Sequence, residues 1–83
     1  MSFDVLRNKA RTIKNKKRDA PAPIRNGARA ILDESNSEKM RIKNAHGYIQ
    51  HYVYHSDDEE DPLNQDELLK EFYDMVYEKY SDL

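Results

Sequence analysis

The side chains best suited to bind a metal are three histidines in the middle of the chain. His51 and His55 are four residues apart and share a face in either a helix or a strand, with Asp57 close behind. Imidazole and carboxylate are common zinc ligands. However, histidines in a tyrosine-rich segment such as the one around His46 are more often surface or half-buried residues than ligands. We therefore expect no metal and no other cofactor.

Catalytic chemistry has little support in the remaining residues. The two glycines, Gly27 and Gly47, cannot form a glycine-rich phosphate loop, and there is no cysteine to act as a nucleophile. Carboxylates are numerous, but an acidic run in a solvated loop lacks the burial that tunes a general acid. A chain of 83 residues also has little room for a ligand pocket. We expect a binding protein and not an enzyme.

Charge is divided unevenly along the chain. The net charge is −2, but residues 1–43 carry twelve Lys or Arg and five Asp or Glu, a balance of +7. Residues 44–83 carry two Lys and eleven Asp or Glu, a balance of −9. Such asymmetry points to nucleic-acid contact or to a charged interaction surface. The alternative is that the two halves neutralise each other within the fold.

The acidic half predicts a binding surface for a basic partner protein. Five acids follow Ser56 directly, and four more recur at helical spacing further along the chain. These residues are Asp57, Asp58, Glu59, Glu60, Asp61, Glu67, Glu71, Asp74 and Glu78. A dense acidic surface speeds encounter with a basic groove. Our leading hypothesis is therefore a mimic of nucleic acid that binds a nucleic-acid-binding protein.

The charge density of one acidic helix limits this hypothesis. Duplex DNA carries one charge per ~1.7 Å of axis. The acids of the predicted C-terminal helix give about one per 4–5 Å, at a rise of ~1.5 Å per residue. The acidic loop and the helix together, or a homodimer, come closer to DNA.

The basic half supports a competing hypothesis, direct binding to nucleic acid. The candidate residues lie on or beside one face of the predicted first helix: Arg7, Arg11, Lys14, Lys17 and Arg18. Such a stripe can follow a phosphate backbone and release counterions. No zinc-finger spacing or helix-turn-helix pattern accompanies it, so sequence-specific recognition is unsupported. A third hypothesis is an assembly subunit that associates through its opposite charges.

Two amphipathic helices are predicted at the ends of the chain. The first runs over residues 2–18, with Ser2 as its N-cap and Pro21 and Pro23 in a connector over residues 19–23. The second runs over residues 65–80, with Asn64 as its N-cap and Glu67 completing a capping box. Between them, residues 56–62 form an exposed acidic loop, and we expect one small domain over residues 1–83.

The middle of the chain is ambiguous. Asn26 and Gly27 are typical of a tight turn, and residues 28–34, 40–43 and 48–55 suit short strands. Another pattern in the same region, headed by Ser37 as a cap, fits a helical stripe: Ile42, Ala45, Ile49, Tyr52 and Val53. Gly47 disfavours that helix by about 1 kcal/mol relative to Ala. We expect an α+β fold with a small antiparallel β-meander, and a small all-α bundle is the alternative.

Composition indicates a cytoplasmic protein without a membrane segment. Charged residues make up 36% of the chain, there is no cysteine, and no apolar run approaches the ~18 residues of a membrane span. The start of the chain lacks the layout of a signal peptide. In size, charge and absence of cysteine, the chain resembles small early proteins of lytic bacteriophages. This resemblance of composition, without a shared motif, implies an inhibitor or regulator of host machinery.

Overall fold

The computed structural model describes residues 3–83, and within this range it contains five helices and no strand. The helices are α1 (Phe3–Lys16), α2 (Ala22–Leu32), α3 (Glu38–Ile49), α4 (Pro62–Gln65) and α5 (Glu67–Ser81). The predicted α+β fold with a β-meander is therefore wrong, and the chain has the all-helical architecture of the alternative. The predicted N-cap, Ser2, lies outside the described residues.

Helix α1 has the amphipathic character that its sequence predicts. Leu6, Ala10 and Ile13 are fully buried on one side, and Asp4 lies in the first turn, where a negative charge complements the helix dipole. The helix ends at Lys16, before the two prolines.

Helix α2 replaces the predicted turn and first strand. Pro21 is its N-cap residue and Pro23 lies in its first turn. Proline is tolerated there because the first backbone N–H groups of a helix have no intrahelical acceptor. Ile24, Ala28 and Ile31 form the buried face. The prolines therefore begin a helix as well as following one.

Gly27 lies inside α2, where the sequence predicted a tight turn. A Cβ atom at this position would lie 2.7 Å from Cγ2 of Ile49 and 3.5 Å from the backbone oxygen of Ala45. Glycine is therefore needed for the close approach of α3 to α2, and no positive φ is involved. The turn prediction was wrong because this requirement comes from packing between distant segments.

Helix α3 replaces the second predicted strand and the beginning of the third. Ser37 caps it by accepting a hydrogen bond from the backbone N–H of Met40. Ile42, Ala45 and Ile49 are buried, which outweighs the cost of about 1 kcal/mol for Gly47 in a helix. The remainder of the third predicted strand follows the helix as turns and irregular chain.

Two helices follow the acidic loop where one was predicted. Asp61 caps the short α4, and Asp66 caps α5 by accepting from the backbone N–H groups of Leu68 and Leu69. The predicted cap, Asn64, lies inside α4. Helix α5 is amphipathic, as predicted, and its buried residues are Leu69, Phe72, Met75 and Val76.

The helices surround one hydrophobic core. Helix α2 packs between α1 and α3, and α5 packs against both α1 and α3 from the other side. Phe72 of α5 is fully buried, as are Leu6 of α1 and Ile31 of α2. Among residues 3–83, no helix combines the length and apolar composition needed to cross a membrane.

Candidate nucleic-acid interface

Two ion pairs join the basic and acidic halves of the chain. Lys9 of α1 lies 2.6 Å from Glu71 of α5, and Lys17 lies 2.8 Å from Asp66. Because α1 packs against α5, part of the opposite charge is neutralised within the molecule. Glu71 and Lys17, each assigned to a binding surface from the sequence, therefore have partners inside the protein.

Asp61 differs from the other residues of the acidic run because it is buried, with 6% of its surface exposed. Its carboxylate accepts hydrogen bonds from the Tyr52 hydroxyl at 2.7 Å and from the backbone N–H groups of Leu63 and His55. Burial raises the pKa of Asp61, but these hydrogen bonds outweigh it and hold the pKa below its ordinary value. Asp61 is thus a structural residue and is not accessible to a partner.

The rest of the acidic loop is exposed and held in place by Asn64. The Asn64 side-chain nitrogen donates to the backbone oxygens of His55, Ser56 and Asp58 at 3.2, 3.2 and 2.6 Å. Its side-chain oxygen accepts from the Tyr54 hydroxyl at 2.5 Å. Four exposed acids are carried on this ordered backbone, namely Asp57, Asp58, Glu59 and Glu60.

The acidic stripe of α5 is exposed, and only part of it is neutralised. Glu67, Asp74 and Glu78 point away from the core and have no ion pair among the described residues, whereas Glu71 has Lys9. The loop and the helix stripe therefore provide two separate groups of accessible carboxylates.

The predicted basic residues of α1 fall into three groups. Arg7 lies 2.6 Å from Asp4, one turn earlier, and Lys17 is paired with Asp66. Arg11 is exposed and has no ion pair among the described residues. Lys14 and Arg18 face a cleft at the C-terminal end of α1, where they meet basic residues of another helix.

A cavity of about 280 Å³ lies between the C-terminal end of α1 and α2. Four basic side chains line it, namely Lys14, Arg18, Arg25 and Arg29. We call these four residues the basic cleft. No carboxylate lines it, and none of the four forms an ion pair within residues 3–83. Arg25 is oriented by a hydrogen bond of 2.9 Å from its Nε to the Ala20 backbone oxygen. Four positive charges with no compensating carboxylate make the cleft suited to an anionic ligand.

Arg25 and Arg29 were missed from the sequence because their segment was assigned to a turn and a strand. In a helix they are four residues apart and share a face. The signal that could have found them is Pro23, which suits the first turn of a helix and so suggests one continuing through Arg29.

The three histidines have different surroundings. The His46 ring stacks on Tyr80, with ring centres 3.7 Å apart, and meets Tyr77 edge-on. The backbone N–H of His55 donates to Asp61, and His51 is exposed. Across residues 3–83, no three His, Asp or Glu side chains are arranged to hold a metal ion.

No model of a known protein family matches this chain, and no significant similarity connects it to a curated protein or a solved structure. The basic cleft is the arrangement with the most direct chemical consequence, because side chains from two helices meet there.

Proposed function

We propose that the protein binds nucleic acid through the basic cleft. The observation that carries this proposal is the convergence of Lys14, Arg18, Arg25 and Arg29 in one cavity without a carboxylate. Lysine contributes a compact charge and arginine a planar donor fork, and both bind phosphate oxygens. The proposal places the protein inside the cell, where nucleic acid is found.

Binding through phosphate contacts has a defined dependence of affinity on salt concentration. Each phosphate that is neutralised releases counterions, and four contacts give a slope of about −3.6 for log K against log salt on duplex DNA. Contacts of this kind carry no sequence information by themselves. We therefore expect binding that tolerates any sequence and weakens steeply as salt rises.

The acidic residues do not conflict with this proposal. They lie on α5 and in the acidic loop, and neither element contributes a residue to the cleft. Two basic residues that lie beside α5, Lys9 and Lys17, are already paired with Glu71 and Asp66. A phosphate chain is thus attracted to the cleft and repelled by the acidic loop and α5, which favours one orientation of the bound protein.

The experiment measures fluorescence anisotropy of a labelled 20-base-pair duplex at ~50 mM salt, where phosphate contacts are strong. We expect the double variant Lys14→Glu, Arg29→Glu to lose binding. The matched control is Lys16→Glu, Lys39→Glu, because both lysines are exposed, neither lines the cleft, and the net charge changes equally. Absence of binding by the wild type to this duplex and to a single strand of the same length, or an equal loss in the control, contradicts the proposal.

A second candidate function is the capture of a basic partner protein by the acidic loop and α5. The observation that favours it is the hydrogen-bond network of Asn64, which presents the loop acids from an ordered backbone. A surface that is ordered beforehand loses less entropy on binding. In this role the protein would be a nucleic-acid mimic and an inhibitor or regulator, as in the bacteriophage proteins that its composition resembles.

The two candidates are separated by capture from a nuclease-treated lysate of a candidate host. The charge reversal is Asp74→Lys with Glu78→Lys. These two positions are preferred to Glu71, because Glu71 is partly neutralised by Lys9. If the acidic surface is the site, this variant loses a partner protein that the Lys14→Glu, Arg29→Glu variant still captures. The reverse pattern contradicts the second candidate.

A further inference from the structure

We propose that the nucleic acid is single-stranded and that one of its bases stacks on Tyr48. This inference rests on the proposed function, because it extends the surface that begins at the basic cleft. The observations that carry it are two grooves that share Arg29 and the absence of any partner for Tyr48 within residues 3–83.

The basic cleft adjoins a second groove, between α2 and α3, at Arg29. Arg29 lines both, and the second groove also has a volume of about 280 Å³. We call it the tyrosine groove, and its lining residues are Asn26, Arg29, Ala30, Asp33, Asn44 and Tyr48. Beyond Tyr48 the surface continues past Lys43 and His51. A flexible chain lying along this path meets cations at both ends and an aromatic ring between them.

Tyr48 is the tyrosine that the fold itself does not use. Among the six tyrosines, two donate hydrogen bonds, Tyr52 to Asp61 and Tyr54 to Asn64. Three others have ring partners, since Tyr73 packs on Tyr77, and both Tyr77 and Tyr80 contact His46.

By contrast, Tyr48 is 47% exposed and has neither a ring partner nor a hydrogen-bond partner within residues 3–83. Tyr80, at 40% exposed, is comparably open but is already stacked on His46. An aromatic ring left open beside cations is available to stack with a ligand.

This combination fits an unpaired base better than a duplex. In a duplex, the faces of the bases are stacked on one another and only their edges and phosphates are accessible. In a single strand, the face of a base can stack on an aromatic ring, which contributes about 1–3 kcal/mol per base and tolerates any sequence. The amides of Asn26 and Asn44 lie in the same groove and can hydrogen-bond to base edges.

Asp33 is the single carboxylate among the residues lining the tyrosine groove. It accepts hydrogen bonds from the Ser35 hydroxyl at 2.6 Å and from the Ser35 backbone N–H at 3.1 Å, so it is engaged with its own loop. Its charge still disfavours a phosphate beside it. We therefore place phosphates at the basic cleft and near Lys43, and a base in the groove between them.

The test compares a 15-nucleotide oligo(dT), an oligo(U) of the same length and a 15-base-pair duplex DNA by fluorescence anisotropy. We expect Tyr48→Ala to weaken binding of the single strands by about 5- to 150-fold, the equivalent of 1–3 kcal/mol. Tyr48→Phe keeps the ring and should bind within about twofold of the wild type. Duplex binding should be the same in all three proteins. The two single strands show whether the site prefers DNA or RNA.

Stacking also has a direct spectroscopic signature. The protein contains no tryptophan, so Tyr48→Trp introduces a single reporter. Single strands should quench its fluorescence and the duplex should not. Circular dichroism of each variant confirms that the helices are retained.

The outcomes separate the two proposals. If single strands bind and Tyr48→Ala has no effect, or if the duplex loses as much affinity as the single strands, the stacking inference is overturned while the basic cleft stands. If no nucleic acid binds, or if the Lys14→Glu, Arg29→Glu variant binds all three ligands normally, the proposed function fails first.

Discussion

The acidic and basic regions of this protein use their charges differently. In the acidic region, three carboxylates are paired with another side chain of the fold: Asp61 with Tyr52, Asp66 with Lys17 and Glu71 with Lys9. In the basic cleft, four cations lie together with no carboxylate among them. Charge that the fold neutralises contributes to stability, whereas charge that it leaves uncompensated costs stability and is available to a ligand. An excess of charge in the sequence does not distinguish the two cases.

The largest effect on stability is expected in the acidic region, at Asp61. Asp61→Ala removes the cap of α4 and leaves the Tyr52 hydroxyl and the Leu63 and His55 amides without their acceptor. We expect the free energy of unfolding to fall by about 2–4 kcal/mol. Urea denaturation measures it. The neighbouring exposed residue is the control, and Glu60→Ala should change stability by less than about 0.5 kcal/mol. Equal effects at the two positions would remove the distinction between structural and accessible acids.

Acid should destabilise the wild type through the same carboxylate. The pKa of Asp61 is lower in the folded protein than its ordinary value, so its contribution is present above about pH 4 and is lost as pH falls through the folded pKa. The pKa of Asp66 is also lowered, chiefly by the Lys17 side chain. Between pH 5 and pH 3, the free energy of unfolding of Asp61→Ala should therefore fall by less than that of the wild type. The variant should still show the pH-dependent loss that is due to Asp66. An unchanged pH dependence would show that the hydrogen bonds to Asp61 do not favour its charged form.

The next largest effect is expected in the basic region, where the tyrosine groove depends on α2 lying close to α3. Gly27→Ala places a Cβ 2.7 Å from Cγ2 of the buried Ile49, which is β-branched and cannot swing away. Overpacking costs about 1–3 kcal/mol and the gain in helix propensity returns up to about 1 kcal/mol, so we expect a net loss.

Gly47 provides the matched control for Gly27. It lies in α3, and a Cβ there has no neighbour within 4 Å. Gly47→Ala should raise the free energy of unfolding by up to about 1 kcal/mol. Thermal or urea denaturation measures both variants, and a stabilising Gly27→Ala would show that α2 and α3 are not in close contact.

The smallest effects on stability are expected at two lysines of α1, one with an ion-pair partner and one without such a partner within residues 3–83. Lys9→Gln removes the ion pair with Glu71, which is worth about 0.2–1 kcal/mol at a partly exposed site. Lys14→Gln removes a cation with no ion-pair partner among the described residues and relieves repulsion within the basic cleft. We expect it to leave stability unchanged or slightly higher, while weakening nucleic-acid binding. A loss of stability at Lys14 equal to that at Lys9 would contradict the difference between the regions.

The two terminal helices were predictable because apolar residues at helical spacing determine them. Leu6, Ala10 and Ile13 recur at helical spacing in α1, as Leu69, Phe72 and Val76 do in α5, and all six are buried. The exact start of α5 was missed because Asn64 and Asp66 are both good caps. Asp66, which caps α5, also pairs with Lys17, and that contact exists only in the folded chain.

The middle helices were not predicted because local signals opposed the packing that decides them. Asn26 and Gly27 are typical of a turn in isolation, but Gly27 accommodates Ile49, which is 22 positions away in the sequence. The stripe of Ile42, Ala45 and Ile49 was visible, yet Gly47 argued against it. Likewise, the basic residues of α1 could be named as candidates from the sequence. Which of them are paired and which are unpaired depends on where α2 and α5 lie in the fold.

The hydrogen bonds of Asn64 have a consequence for the order of folding. They join residues no more than ten positions apart, and closing so short a loop takes on the order of 10–100 ns and costs little entropy. The Lys9–Glu71 contact spans 62 positions and must await the docking of α5 on α1. We therefore expect the hydrogen bonds of the acidic loop to form earlier in folding than the Lys9–Glu71 contact.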